Sequence, residues 1–224
     1  MNRDEEYRDQ LLSSIDEEAL EWIKEKSTEY IRIMSYYRCD SMEIETKFKV
    51  LREEYSLRQD RNPINSIKTR LKSPKSIREK MERLGFESGI ESIEKNLNDV
   101  AGVRVICAFK DDVYMLADTL LKQDDVKLVK IKDYIKSPKS NGYRSLHVIV
   151  SIPIYLAHEK REMKVEVQFR TIAMDSWASM EHQIVYKKDV KLTEKMQAEL
   201  DECAELSATL DEKMNNLRKE LNEK

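Results

Sequence analysis

Residues 163–170, Met-Lys-Val-Glu-Val-Gln-Phe-Arg, alternate apolar and polar side chains without a break, and this octet constrains the fold of the 224-residue chain most tightly. Successive side chains of a β-strand point to opposite faces, so the pattern predicts a strand with one apolar face. The other face carries Glu166, Gln168 and Arg170. The octet therefore predicts a sheet with a hydrophobic core on one side and charged groups on the other.

Strand-like and helix-like segments alternate through the middle of the chain, which predicts an α/β (α+β) core. Short apolar or alternating segments predict further strands over residues 66–72, 103–109, 126–135 and 143–152, and longer segments predict helices over residues 111–122 and 171–186. Ser73-Pro74 joins an N-cap residue to a helix-starting proline. A further helix should therefore run from this pair to Leu84 and end at Gly85.

Both ends of the chain have the apolar spacing of amphipathic helices. Residues 1–61 predict a helical pair: the first helix has its stripe between Ala19 and Met34, and the second begins at Asp40 as N-cap. Residues 191–224 predict one long helix, with apolar residues at steps of three or four: Leu192, Met196, Leu200, Cys203, Leu206, Leu210, Met214, Leu217 and Leu221. The domain at residues 62–190 lies between these helical ends. Within it, helical spacing predicts core positions for Trp177, Met180 and Ile184.

Charge is unevenly distributed in a chain whose formal net charge is only −3. Residues 68–83 contain seven lysines and arginines against two glutamates, and residues 127–144 contain six against one aspartate. Two cationic patches in an acidic chain favour a local anionic ligand over DNA, and no apolar run reaches the length of a membrane span. Three widely separated cysteines favour neither a disulfide framework nor a thiolate metal site, so we expect a cytoplasmic protein.

The first cationic patch combines a strand with the start of a helix. Lys68, Arg70 and Lys72 share one face of the predicted strand, which leads directly to the helix N-terminus at Ser73 to Ser76. Helix N-termini attract anions through free N–H groups and the positive end of the helix dipole. The patch is therefore either a phosphate site, with Lys80 one turn further on, or a solvated basic surface.

Two carboxylates stand out near predicted strands. Asp99 precedes Gly102 and the strand that carries Arg104, and Glu166 lies in the middle of its strand. One Asp and one Glu from separate elements suit Mg²⁺, which keeps water molecules and takes further oxygens from phosphates. Asp99 is equally compatible with a helix cap, and Glu166 with a surface position.

The second cationic patch ends in a loop, Ser-Pro-Lys-Ser-Asn-Gly-Tyr-Arg-Ser-Leu-His, at residues 137–147. Asn141-Gly142 is a turn signal, and the turn presents Lys139, Tyr143, Arg144 and His147 within a few residues. This segment is either a hairpin turn with a solvated rim, or a loop that stacks an aromatic base on Tyr143 and places cations around phosphates.

Four spaced motifs together resemble the synthetase domain of RelA/SpoT proteins. They read R-x-K-S-x-x-S-I-x-x-K, D-x-x-G-x-R, N-G-Y-R-S-L-H and E-V-Q-x-R-T, and the similarity covers residues 62–186. The short length resembles the small alarmone synthetases, which transfer the β,γ-pyrophosphate of ATP to the ribose 3′-hydroxyl of GDP or GTP. The resemblance implies a nucleotidyltransferase-like mixed β-sheet flanked by helices, and leaves no room for the hydrolase domain of longer members.

Residue by residue, the resemblance implies two nucleotide subsites and a metal. The ATP subsite would comprise Arg70 and Arg104 at adenine, and Lys72, Ser76 and Lys80 at the phosphates. The guanine-nucleotide subsite would comprise Tyr143 stacked on the base, Lys139 and His147 toward the phosphates, and Gln168 nearby. Asp99 and Glu166 would hold Mg²⁺, and Glu166 would also accept the 3′-hydroxyl proton.

Three further expectations concern partners and alternatives. Some toxin relatives pyrophosphorylate the 3′ end of tRNA instead, and a catalytically silent nucleotide-binding or RNA-binding module is a third possibility. The helical ends predict a homotetramer, as the small members of the family form, and a cleft between subunits would suit regulatory ppGpp or pppGpp.

Overall fold

The computed structural model describes residues 27–58, 61–185 and 193–222. Its helices are α1 (Ser27–Arg58), α2 (Pro74–Arg83), α3 (Ile90–Asn96), α4 (Lys110–Leu121), α5 (Ile172–Val185) and α6 (Glu194–Asn222). Its strands are β1 (Ile64–Leu71), β2 (Ala101–Cys107), β3 (Lys127–Asp133), β4 (Leu146–Tyr155) and β5 (Lys160–Thr171). The predicted alternation of strands and helices is confirmed, although β4 begins at Leu146 and not at Tyr143.

The strands form one mixed sheet in the order β1-β2-β5-β4-β3. β2 and β5 run parallel at the centre, and every other neighbouring pair is antiparallel. The register aligns Arg104 of β2 with Gln168 of β5 and His147 of β4, and aligns Gly102 with Glu166. The sheet thus brings three of the predicted site residues into one row across its centre.

One face of this sheet is the hydrophobic core predicted by the alternation in β5. The apolar side chains of β5 are at most 2% exposed, and α1 and α4 cover them. Phe48 of α1 meets Phe169 of β5 edge to face, with ring centroids 5.6 Å apart. Aromatic and β-branched side chains from both layers fill this side completely, which fixes the positions of the strands.

The predicted helical pair at the N-terminus is wrong for the described residues, because α1 is a single helix from Ser27 to Arg58. Asp40 lies inside this helix and is fully buried, so it is not an N-cap. Burial raises the pKa of Asp40 to about 8, and a neutral carboxyl can remain on the apolar stripe between Tyr37 and Ile44. The part of the first predicted helix before Ser27 lies outside the described residues.

The long C-terminal helix is confirmed as α6, but its apolar stripe does not cover the domain. Leu210 and Leu217 are each 54% exposed, whereas Ala204, Asp211 and Asn215 are buried against the domain. The helix therefore docks through small and polar side chains, and most of its leucines face outward. Leu192 lies outside the described residues.

Helix α5 also departs from its predicted burial. Trp177 is buried, but Met180 and Ile184 are about half exposed, because only one side of α5 contacts the sheet and α6. None of the helices in the described ranges combines the length and the apolar character required to cross a bilayer.

Candidate active site

The two arginines of the predicted ATP subsite lie on the polar face of the sheet. Antiparallel pairing of β1 with β2 places Lys68 opposite Arg104 and Arg70 opposite Gly102. The side chains above these positions line a cavity of about 220 Å³, formed by Lys68, Thr69, Arg70, Gly102, Arg104 and Gln168. The two arginines predicted to flank adenine therefore share one cavity, which also reaches β5.

Asp99 lies at the start of β2 between two of the predicted phosphate-binding lysines. Lys72 Nζ is 2.8 Å from Asp99 Oδ2, and Lys80 Nζ is 2.7 Å from Asp99 Oδ1. Burial raises the pKa of Asp99, but the two lysines outweigh burial and hold it below its usual value. The carboxylate is therefore ionised at neutral pH, and Asp99 is not a helix cap in this arrangement.

Ser76 lies in the first turn of α2, whose start is as predicted. Ser73 is the N-cap: its Oγ accepts a hydrogen bond from the Ser76 amide at 3.2 Å and donates one to Ser76 Oγ at 3.0 Å. Pro74 and Ile77 anchor the helix in the core. The first turn of α2 therefore stays fixed beside Lys72, and the positive end of the helix dipole there attracts anions.

Glu166 is 6% exposed and lies at the middle of the polar face. Its Oε1 is 3.1 Å from His147 Nδ1, and its Oε2 accepts a hydrogen bond from Gln168 Nε2 at 2.7 Å. Burial raises the pKa of Glu166, but the contacts with His147 and Gln168 outweigh burial, so the net pKa is lowered. The charge of Asp99 acts in the opposite direction, and the register pairs Glu166 with Gly102, three residues after Asp99.

The predicted guanine-nucleotide residues form an aromatic and cationic cluster beside Glu166. Tyr143 Oη is 2.9 Å from His147 Nε2, and Lys139 Nζ lies 4.7 Å from the centroid of the Tyr143 ring. A carboxylate can only accept, so His147 donates from Nδ1 to Glu166, and in the neutral imidazole Nε2 accepts from Tyr143 Oη. In this series Tyr143 donates to His147 and His147 donates to Glu166, which is the final acceptor.

Helix α6 contacts the loop at residues 137–147 and holds it in position. Arg144 Nη1 donates to the Ala204 carbonyl at 3.2 Å, and Arg144 Nη2 is 2.8 Å from Glu205 Oε1. Gly142 has φ +80°, and a Cβ at that position would lie 2.5 Å from Ala204 Cβ. Only glycine satisfies both the backbone conformation and this close approach. Arg144 therefore faces α6, although the sequence placed it among the cations that the turn presents.

Two residues of the polar face were missing from the predicted site. Arg170 is 5% exposed, and its guanidinium lies 4.9 Å from the Tyr143 ring centroid and donates from Nη2 to Tyr143 Oη. Asp175, in the first turn of α5, pairs with Lys68, Arg104 and Arg170. Alternation already places Arg170 on the face of Glu166, whereas no local pattern indicates Asp175.

This fold and site define a class of protein: an enzyme that acts on nucleoside phosphates, with two ionised carboxylates set among lysines and arginines on one sheet face. Residues 69–191 match the family described as the region found in RelA/SpoT proteins. The chain therefore belongs to the RelA/SpoT family, as a small alarmone synthetase. The predicted resemblance is confirmed.

Known proteins resemble the chain over most of its length. The GTP pyrophosphokinase YwaC of Bacillus subtilis (strain 168) is 44% identical over 178 residues, which are 80% of this chain and 85% of YwaC. The crystal structure of small alarmone synthetase 1 from Bacillus subtilis bound to its product pppGpp is 34% identical, with a TM-score of 0.79 over 86% of this chain and 97% of that chain. The same synthetase bound to AMPCPP gives 31% identity and a TM-score of 0.76, covering 88% of this chain and all (100%) of that chain.

Proposed function

We propose that this protein transfers the β,γ-pyrophosphate of ATP to the ribose 3′-hydroxyl of GDP or GTP, releasing AMP and forming ppGpp or pppGpp. The observation that carries the proposal is the position of Glu166. This ionised and buried carboxylate contacts His147 on the loop side, and its strand position is paired with Gly102, three residues after Asp99, on the ATP side. A base in this position stands between the two substrates of such a transfer.

The ATP subsite is assigned to the cavity beside β1 and β2. Arg70 and Arg104 would stack their planar guanidinium groups on adenine, and Lys72, Lys80 and Ser76 would bind the phosphates. Lys72 and Lys80 contact Asp99 in the described structure, so phosphate binding would draw both lysines away from that carboxylate. The negative charge of Asp99 then becomes available to a cation.

Asp99 and Glu166 fit a Mg²⁺ ion. Both are ionised, and the charge of one raises the pKa of the other, as expected of carboxylates that share a site. Two carboxylates are sufficient, because Mg²⁺ completes its shell with water and phosphate oxygens. The ion, when bound, neutralises charge on the phosphates.

Glu166 is the proposed general base. It accepts the proton of the 3′-hydroxyl while a bond forms between the 3′-oxygen and the β-phosphorus of ATP, and the bond from that phosphorus to the oxygen of AMP breaks. His147 and Gln168 hold the carboxylate oxygens in place during this step. The chain supplies positioning and charge, and no covalent intermediate is required.

The acceptor subsite is assigned to the loop at residues 134–145. Tyr143 would stack on guanine, Lys139 and His147 would contact the phosphates, and Gln168 would lie near the nucleotide. Each of these groups lies within the cluster that surrounds Glu166, and α6 holds the loop in position through Arg144. A rigid loop favours one acceptor orientation, which is what transfer to a single hydroxyl requires.

A homotetramer in the cytoplasm, with regulatory ppGpp or pppGpp between subunits, completes the proposal. The outward stripe of α6 supports assembly, because Leu210, Met214 and Leu217 stay about half exposed in a single chain. Light scattering should give four times the chain mass of 26.5 kDa, and Leu210→Glu combined with Leu217→Glu should dissociate the particle. A wild-type mass of a single chain would contradict the assembly.

One experiment tests the transfer and its acceptor together. Purified protein is incubated with Mg²⁺ and ATP labelled at the β- and γ-phosphates, with GDP, GTP or deacylated tRNA supplied separately. Label should move to the guanine nucleotide, AMP should be released in equal amount, and chelation of Mg²⁺ should stop both. Label on tRNA would favour the toxin-type reaction, and label on no acceptor would favour a silent nucleotide-binding or RNA-binding module.

A further inference from the structure

Asp175 pairs with cations of three different strands of the site. It lies in the first turn of α5 and is 8% exposed. Its Oδ2 is 3.3 Å from Lys68 Nζ of β1, and its Oδ1 is 3.1 Å from Arg104 Nη1 of β2 and 3.0 Å from Arg170 Nη1 of β5. One carboxylate oxygen therefore accepts from two arginines.

The two arginines belong to different halves of the site. Arg104 lines the cavity assigned to ATP. Arg170 points the other way, since its second terminal nitrogen donates to Tyr143 Oη and its guanidinium lies over the Tyr143 ring. Asp175 therefore pairs both with Arg104, on the ATP side, and with Arg170, which contacts the Tyr143 ring on the acceptor side.

Electrostatic attraction to Asp175 holds Arg104 and Arg170 close together. Without Asp175, the half-buried Arg104 and the buried Arg170 would repel each other, and partial burial together with the charge of Arg170 already lowers the pKa of Arg104. Burial raises the pKa of Asp175, but Arg104 and Arg170 outweigh burial, so Asp175 is ionised. A planar guanidinium held at both ends has little rotational freedom, so a displacement of Oδ1 changes the orientation of Arg170 over Tyr143.

Asp175 is not needed to start α5. Thr171 Oγ1 accepts a hydrogen bond from the Met174 amide at 3.1 Å, and Asp211 of α6 accepts from the same Thr171 hydroxyl. The helix start is therefore capped without the carboxylate of Asp175, and loss of its charge leaves the cap in place. The ion pairs of Asp175 serve the polar face of the sheet.

We infer that Asp175 is a positioning residue that couples the two nucleotide subsites, so that a nucleotide bound against Arg104 sets the orientation of Tyr143 through Arg170. This inference rests on the proposed function, because it takes ATP and a guanine nucleotide as the two ligands. When Arg104 contacts adenine, its hydrogen bond to Asp175 Oδ1 changes. The hydrogen bond from Arg170 to the same oxygen then changes with it. Each nucleotide then binds more tightly when the other is present.

Calorimetry on the full chain with Mg²⁺ measures this coupling. GDP affinity is determined with and without a saturating, non-transferable ATP analogue, for the wild type and for Asp175→Asn, which keeps the size of the side chain and removes its charge. We expect the analogue to tighten GDP binding about fivefold or more in the wild type, and to have almost no effect in the variant. By reciprocity, GDP should tighten analogue binding by the same factor.

Two further variants separate coupling from a fold defect. Arg170→Lys keeps the charge but cannot reach Asp175 and Tyr143 together, so it should also lose the coupling. Asp118→Asn removes an exposed carboxylate of α4 that pairs with Lys122, and it should behave as the wild type.

Distinct outcomes overturn the inference and the proposed function. Equal coupling in the wild type and in the folded variants, or no coupling in the wild type, would overturn the role of Asp175. The role of Asp175 would also be overturned if Asp175→Asn weakened only the binding of GDP measured without the analogue, because Asp175 would then contact the acceptor directly. A wild type that binds both nucleotides yet transfers nothing would overturn the proposed function and leave the coupling measurable.

Discussion

The two faces of the central sheet use the same strands for opposite purposes. On one face, side chains such as Val167 and Phe169 are fully buried in an apolar core beneath α1 and α4. On the other face, their immediate neighbours Glu166, Gln168 and Arg170 form a network of charges and hydrogen bonds. The apolar face fixes where the strands lie, and that rigidity allows the polar face to hold charged groups at set distances.

This comparison teaches that stability and activity are separable along a single strand. Changes on the apolar face should lower the free energy of unfolding and leave the kinetic constants of the folded protein nearly intact. Changes on the polar face that keep the shape of the side chain should act mainly on the kinetic constants, because the charged groups there are positioned for ligands and losing a buried charge also removes its desolvation cost. The following variants test that division, from the largest expected effect to the smallest.

Replacing the proposed base gives the largest effect. Glu166→Gln should lower kcat by roughly a thousandfold or more, because both base catalysis and a metal contact are lost. Thermal unfolding should occur near the wild-type temperature or slightly below it, because the lowered pKa of Glu166 means that the folded chain favours the charged form. The matched control is Glu162→Gln on the same strand, whose partly exposed side chain pairs with Lys127 and should leave kcat unchanged. Turnover at the wild-type rate in Glu166→Gln would remove the assignment.

A cavity in the apolar face gives the next effect. Phe48 is fully buried against Phe169, so Phe48→Ala should lower the free energy of unfolding by about 3–5 kcal/mol. Denaturant titration measures the loss, and KM values at low temperature should stay within a few-fold of the wild type. Val50→Ala, at a position 61% exposed on the same helix, is the control. A selective change in one KM would show that the two faces are not separable.

Asp40 is the exception on the apolar face, and its effect depends on pH. Its pKa is about 8 in the folded chain against 3.8 as the ordinary value, because burial disfavours the charged form. Unfolding therefore releases a proton between these values, and stability falls as pH rises, by about 1.4 kcal/mol for each pH unit. Between pH 6 and pH 8 the stabilisation by this group falls by roughly 2 kcal/mol, because Asp40 is already half ionised in the folded chain at pH 8.

Asp40→Asn tests this sign. The variant cannot ionise, so its unfolding free energy should change less between pH 6 and pH 8 than that of the wild type. Denaturant titrations at the two pH values measure the difference, and Glu53→Gln, exposed on the same helix, provides the control. Identical pH profiles for the wild type and Asp40→Asn would contradict a raised pKa.

The smallest effect concerns the acceptor loop. Tyr143→Ala should raise KM for the guanine nucleotide by about tenfold or more, since stacking on a base contributes about 1–3 kcal/mol. KM for ATP should rise less, because the ring serves one substrate directly. Tyr155→Ala, at a position 74% exposed on β4, is the control. Equal increases for both substrates would mean that Tyr143 only shapes the loop.

Local patterns in the sequence predict the elements that hold the site. Alternation predicts β5 and its two faces, and Ser73-Pro74 predicts the start of α2, because both signals arise from neighbouring residues. The role of Asp175 could not be predicted in this way. Its partners Lys68 and Arg104 lie 107 and 71 residues away along the chain, and only the folded sheet brings them together.

The orientation of α6 and the continuity of α1 could not be predicted from the sequence for a related reason. An amphipathic stripe predicts that a helix has a partner, but not which of its faces meets its own domain. In α6 that face is the one with Ala204 and Asp211. In α1, Asp40 does not start a helix because the helix already begins at Ser27, and the side chain of Asp40 is buried among apolar neighbours.

The parallel pairing of β2 with β5 also determines when the enzyme becomes active during its own synthesis. Between these two strands the chain must complete α4, β3 and β4, and such distant pairings form slowly because a long loop has to close first. Asp99 is translated well before Glu166, and the two carboxylates meet only when β5 joins the sheet. If Asp99 and Glu166 act together as proposed, a nascent chain on the ribosome exposes the cationic groups of β1 early but transfers no pyrophosphate until β5 has joined the sheet.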